Sequence, residues 1–99
     1  MIYFFTINNN REDYKKMEQA ISQVETFVRG RLEKDAYDGV FYENEEGGYE
    51  GAFEVFLDTL ADDGTEIYPT TPGYDSLEDE FADTWYNVWH EIDREIQED

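Results

Sequence analysis

The stretch Glu46-Gly47-Gly48-Tyr49-Glu50-Gly51-Ala52-Phe53-Glu54-Val55-Phe56-Leu57-Asp58-Thr59-Leu60 decides how the chain folds, because it satisfies two secondary-structure patterns at once. A Gly-Gly pair between the β-prone runs 39–45 and 49–57 predicts a hairpin turn. In the second run Phe53, Val55 and Leu57 alternate with Glu54 and Asp58, which suits a half-buried strand. Phe53, Phe56, Leu57 and Leu60 also fall at i, i+3, i+4 and i+7, the spacing of one helical face. The Gly-Gly turn ahead of the run favours the strand.

The rest of the chain is read outward from that hairpin. Downstream, Asp62-Asp63-Gly64 is a turn, residues 65–68 are a short last strand, and residues 69–73 form a loop. A second helix starts at Ser76, with Asp79 completing a weak capping box, and carries the stripe Leu77, Phe81, Trp85, Val88, Ile92 and Ile96. Upstream, the β-branched and aromatic run Ile2-Tyr3-Phe4-Phe5-Thr6-Ile7 predicts a buried strand, ended by Asn8-Asn9-Asn10. Between about residues 11 and 34, Tyr14, Met17, Ile21, Val24, Val28 and Leu32 form one helical stripe, widened by Phe27. The predicted order is β-α-β-β-(β)-α. That is an α+β fold, a single small domain over residues 1–99 with a small, mostly antiparallel sheet packed against two helices.

Composition narrows the chemistry. The absence of cysteine excludes disulfides, thiolate metal sites and thiol nucleophiles, and a lone histidine excludes a His–His metal site. The longest apolar run, Ile2 to Phe5, is far short of a membrane span, and no basic-then-apolar leader is evident, so the expected location is the cytoplasm. Carboxylates are so abundant that any catalytic pair drawn from them is arbitrary. The chain is therefore expected not to be an enzyme and to need no cofactor or metal. Asp62-Asp63-Gly64-Thr65-Glu66 lacks the EF-hand spacing and reads as a turn. His90 reads as a solvated surface residue, and Trp85 and Trp89, at helical spacing with Phe81, read as core.

Charge is the feature that carries function. The 99 residues hold 26 acidic and 7 basic side chains, for a net charge of −19. Residues 1–34 sum to +1 and residues 35–99 to −20, and residues 35–93 contain neither Lys nor Arg. An ordinary acidic surface intersperses both signs. Adaptation to high salt would spread acids over the whole chain, whereas this first helix is nearly neutral and 17% of the residues are aromatic. A polarised field repels nucleic acid and acidic membranes and attracts basic proteins, so neither a nucleic acid nor a membrane is an expected direct partner.

Helix positions four apart, or strand positions two apart, hold carboxylates roughly 6–7 Å apart, on the scale of backbone phosphates. Glu43 with Glu45, and Glu50 with Glu54, are read as pairs around the hairpin, and Asp79 with Asp83 as a helical pair. The candidate partner-binding residues are Glu43, Glu45, Glu46 and Glu50 of the hairpin, and Asp62, Asp63 and Glu66 of the acidic turn. Asp75, Glu78, Asp79, Glu80 and Asp83 of the helix start join them, with Tyr86 as an aromatic anchor. A two-fold homodimer would lengthen such a stripe.

In size, composition and the acidity of its C-terminal two-thirds, the chain resembles the DNA-mimic proteins of phages and mobile elements. These are the anti-CRISPR proteins, the anti-restriction proteins and the phage inhibitors of uracil-DNA glycosylase, which share no common motif. The resemblance implies an inhibitor without chemistry of its own that occupies the nucleic-acid groove of a basic protein, a CRISPR effector first and a restriction enzyme second. The alternatives are a glycosylase inhibitor, or an acidic interaction module or regulatory subunit that docks a basic protein elsewhere than its nucleic-acid site.

Overall fold

In the computed structural model, which describes residues 2–43 and 48–98 and the side chains from position 14 onward, every regular element is helical. Helix α1 spans Ile2–Tyr37, a single 3-10 turn spans Phe41–Glu43, α2 spans Tyr49–Asp62 and α3 spans Tyr74–Glu98. No strand occurs among the described residues, so the predicted α+β sheet is replaced by a three-helix bundle measuring 62 × 21 × 17 Å.

The expected strand over residues 2–7 is the first part of α1. The physical reason is that nothing before Gly30 breaks the backbone: Asn8, Asn9 and Asn10 each cost a helix only about 0.7 kcal/mol, and neither Gly nor Pro interrupts. Gly30 costs about 1 kcal/mol and the helix runs through it. The stripe that α1 buries is Met17, Ala20, Val24, Val28 and Leu32. Ala20 takes the place expected for Ile21, which is 39% exposed, and Tyr14 is 66% exposed.

The deciding stretch is helix α2. It buries Ala52, Phe53, Phe56 and Leu60, while Val55, an inward position in the strand reading, is 45% exposed. Gly48 is the N-cap of α2 and not part of a hairpin turn; positions 44–47 lie outside the described residues. The helical period prevails because it turns both Phe53 and Phe56 toward rings on the other two helices. Phe27 of α1, Phe53 and Phe56 of α2 and Phe81 of α3 share one cluster. Phe81 stands 6.1, 5.2 and 5.3 Å from the other three in that order, and Phe27 stands 5.1 Å from Phe56. Edge and tilted contacts at such distances add about 0.5–1.5 kcal/mol per pair to the burial term.

The turn predicted at Asp62-Asp63-Gly64 is the C-terminus of α2. Thr65 N–H donates to the Leu60 carbonyl and Gly64 N–H to Ala61, the paired bonds of a Schellman motif. Gly64 supplies the φ of +92° that the motif requires. The segment 65–68, expected as a strand, is non-helical and forms no strand ladder, although Thr65 and Ile67 are buried. Residues 69–73 form the expected loop, and α3 begins at Tyr74, so Ser76 lies inside its first turn and not at a cap. Five of the six residues expected in the α3 stripe are buried; Ile96 is 39% exposed.

Contacts between α1 and α3 advance together: Met17 lies against Gly73, Phe27 against Phe81 and Arg29 against Glu91. The two long helices therefore run side by side in the same direction. A Cβ at position 73 would meet the Met17 Cγ at 3.1 Å, so the absence of a side chain there sets how closely α3 starts against α1. At the other end Phe41 stacks on Trp89 at 5.0 Å and the Tyr42 hydroxyl donates to Asp93 at 2.7 Å.

Candidate functional site

The helical reading of residues 49–62 changes which carboxylates stand together. Glu50, Glu54, Asp58 and Asp62 recur every fourth residue along α2, and all four are exposed. Each step rises about 6 Å and rotates about 40°, so the row winds across the solvent side of the helix. Asp75, Asp79 and Asp83 repeat the arrangement on α3, again all exposed. Glu54 and Asp58 were not among the expected contact residues. Their signal, the four-residue recurrence from Glu50 to Asp62, becomes visible only once the segment is read as a helix.

The remaining expected residues are distributed as follows. Asp63 caps the end of α2, and Glu78 and Glu80 flank the α3 row, with Glu78 half-buried. Glu66 is exposed on the segment after α2, where its carboxylate accepts the Tyr68 hydroxyl at 2.7 Å. Glu43 sits in the 3-10 turn beside Tyr42, whose neighbours Trp89 and Asp93 belong to the C-terminal half of α3; it does not join the acidic turn. Glu45 and Glu46 lie outside the described residues. Tyr86 is 51% exposed, one turn beyond Asp83, and its ring stands 4.4 Å from His90. His90 is half-buried between Tyr86 and Trp89, where the sequence suggested a solvated residue.

Three basic side chains are paired away from these rows. Arg29 bridges to Glu91 at 2.9 Å, tying α1 to α3, and Lys34 bridges to Asp38 at 2.6 Å; Arg31 lies 3.9 Å from Asp35. The hydrogen bond to Glu91 raises the Arg29 pKa, and that to Asp38 raises the Lys34 pKa, so both stay cationic. Among the described residues no Lys or Arg comes within ion-pair distance of either acidic row.

Beside the α2 row lies a groove of about 330 Å³ between the helix and residues 66–68. Leu57, Ala61 and Ile67 line its apolar part, and Glu54, Asp58 and Glu66 bring carboxylates to it. The Tyr68 side chain, 55% exposed, completes the lining. No group of three His, Asp or Glu among the described residues is arranged to hold a metal ion. No helix among them is long and apolar enough to cross a membrane.

Two tyrosines tied to acids give a direct test of this geometry. The hydrogen bond to Asp93 holds the Tyr42 pKa above its ordinary value, and the hydrogen bond to Glu66 does the same for Tyr68. Because the folded-state pKa is the higher one, the stability these bonds add is fully present below the ordinary tyrosine range, near pH 10, and is lost as pH rises through the folded value. A spectrophotometric titration should show two tyrosines ionising late through these bonds. Tyr42→Phe and Tyr68→Phe should each remove one late step; an unchanged curve in either would mean that the bond does not form.

No protein-family model matches the chain, and no curated protein or solved structure matches it either.

Proposed function

We propose that the chain is an inhibitor that mimics nucleic acid, presenting regular rows of carboxylate to the basic groove of a bacterial defence nuclease. A CRISPR effector is the first target class and a restriction enzyme the second, both met in the cytoplasm of the bacterial host. The observation that supports this reading is the pair of exposed, one-turn-spaced rows, Glu50-Glu54-Asp58-Asp62 and Asp75-Asp79-Asp83, with no cation beside them among the described residues.

Magnitudes agree with the reading. Helix α3 carries nine acids and one Arg over its 25 residues, a length of about 37 Å, or one acid per ~4 Å of axis. One strand of a duplex carries a phosphate per ~3.4 Å. A groove evolved to hold that charge density meets a similar one here, fixed on a helical scaffold. Like charges at i, i+4 destabilise a helix by about 0.2–0.5 kcal/mol per pair, so the rows act against folding. A surface that needed only solubility would intersperse Lys or Arg and avoid that cost.

The experiment is capture of bacterial nucleases from a lysate on the immobilised protein at low salt, followed by elution with rising salt and with competing duplex or guide RNA. A nuclease released by nucleic acid supports the mimic. A partner that nucleic acid fails to displace would instead identify an acidic interaction module. Asp79→Lys with Asp83→Lys should cut binding of the captured partner at least tenfold, and unchanged affinity would remove the start of α3 from the interface.

A further inference from the structure

The groove between α2 and residues 66–68 combines three features that the acidic rows elsewhere lack. Its floor is apolar, with Ile67 buried and Leu57 half-buried. Its rim carries carboxylates from two chain segments, Glu54 and Asp58 one helical turn apart and Glu66 beyond them. Its wall includes the Tyr68 side chain, held by the bond from its hydroxyl to Glu66. Carboxylates beside an apolar floor and an aromatic ring suit an organic cation with an aliphatic stem.

We propose that this groove is a socket for one arginine side chain of the basic partner, the methylene stem lying on Leu57, Ala61 and Ile67, the guanidinium against the Tyr68 ring and between the Glu54, Asp58 and Glu66 carboxylates. The occupant follows from charge and shape complementarity. An apolar floor accepts an aliphatic stem that a phosphate-like row alone would leave in water. A planar guanidinium stacks on an aromatic face and donates to more than one carboxylate, whereas an ammonium is compact and strongly hydrated. Phosphate offers neither floor nor ring, so the socket adds to mimicry a selectivity for arginine over lysine. The proposal rests on the inhibitor reading for the identity of the partner, but the groove is testable without one.

The test uses the full-length protein, with oligo-arginine and oligo-lysine peptides of equal length as probes, followed by amide chemical shifts. Both peptides carry the same charge, so the acidic rows respond to both. Oligo-arginine should shift the amides of Leu57, Ala61, Ile67 and Tyr68 and bind about two- to fivefold more tightly than oligo-lysine, the range of an exposed cation–π contact. Tyr68→Ala should abolish that preference. Tyr68→Phe, which keeps the ring and loses the hydroxyl bond, should retain it, and Glu18→Gln, exposed on α1 and outside the groove, should leave it unchanged. Because Tyr68 is 55% exposed, these variants should stay folded, which circular dichroism checks. Equal affinity for the two peptides would overturn the proposal, as would an arginine preference that survives Tyr68→Ala. Neither outcome bears on capture of a nuclease by the acidic rows, so failure of the socket is separable from failure of the mimic.

Discussion

Replacing Phe81 with alanine should cost about 3–5 kcal/mol, a large share of the stability of a chain this size. Phe81 is fully buried and its ring is in contact with a ring from each of the other two helices, Phe27 on α1 and Phe53 and Phe56 on α2. Truncation removes the transfer energy of one ring and opens a cavity where the three helices meet. A chain of this size has about 5–15 kcal/mol in total, and here self-repulsion among the acids lowers it further. Urea unfolding followed by circular dichroism measures the loss. Tyr86→Ala, on an exposed position of the same helix, is the control and should change stability by about 0.5 kcal/mol or less. A loss below about 1 kcal/mol for Phe81→Ala would mean that the three helices do not converge at this ring, and the bundle would have to be redrawn.

That dependence on ring contacts explains what the sequence revealed of the fold and what it concealed. The middle of α3 was legible because Leu77, Phe81, Trp85, Val88 and Ile92 keep one helical period and no strand pattern competes. The α1 stripe from Met17 to Leu32 was legible for the same reason, although Ile21 and Ala20 are equally spaced and only packing against the neighbouring helices chooses Ala20. Residues 49–60 carried two periods. The choice between them was made by Phe27 and Phe81, more than twenty residues away on each side, and no local rule contains that information. Residues 2–7 have strong strand propensity, but propensity is a weak term wherever a continuous helix is open to the backbone.

The site followed the fold. Which residues are acidic was plain, but which stand together depended on the period. Read as a strand, Glu50 and Glu54 formed an isolated pair; read as a helix, they begin a row of four. The groove was not legible at all, because it exists only where Glu66, Ile67 and Tyr68 return against α2.

Neutralising the α2 row, Glu50→Gln with Glu54→Gln, Asp58→Asn and Asp62→Asn, should stabilise the protein while weakening it as an inhibitor. Three i, i+4 repulsions disappear at about 0.2–0.5 kcal/mol each, a gain of roughly 0.6–1.5 kcal/mol. For a domain of this length that raises Tm by roughly 2–12 °C. Neighbouring acids are about 6 Å apart, inside the ~10 Å Debye length at 0.1 M salt. The advantage of the variant should therefore shrink as salt is added, since salt screens the repulsion in the native chain. Affinity for the captured nuclease moves the other way. Four ion pairs at about 0.2–1 kcal/mol each amount to roughly 0.8–4 kcal/mol, a loss of about fourfold to nearly a thousandfold. Thermal melts at two salt concentrations and a binding titration read both effects in one variant. Higher Tm with weaker binding identifies a surface kept for its partner at the expense of stability. Higher Tm with unchanged binding places the row outside the interface and leaves α3 to carry the contact. An unchanged Tm would show that the four carboxylates do not repel one another as a helical row must, which would put the α2 register itself in question.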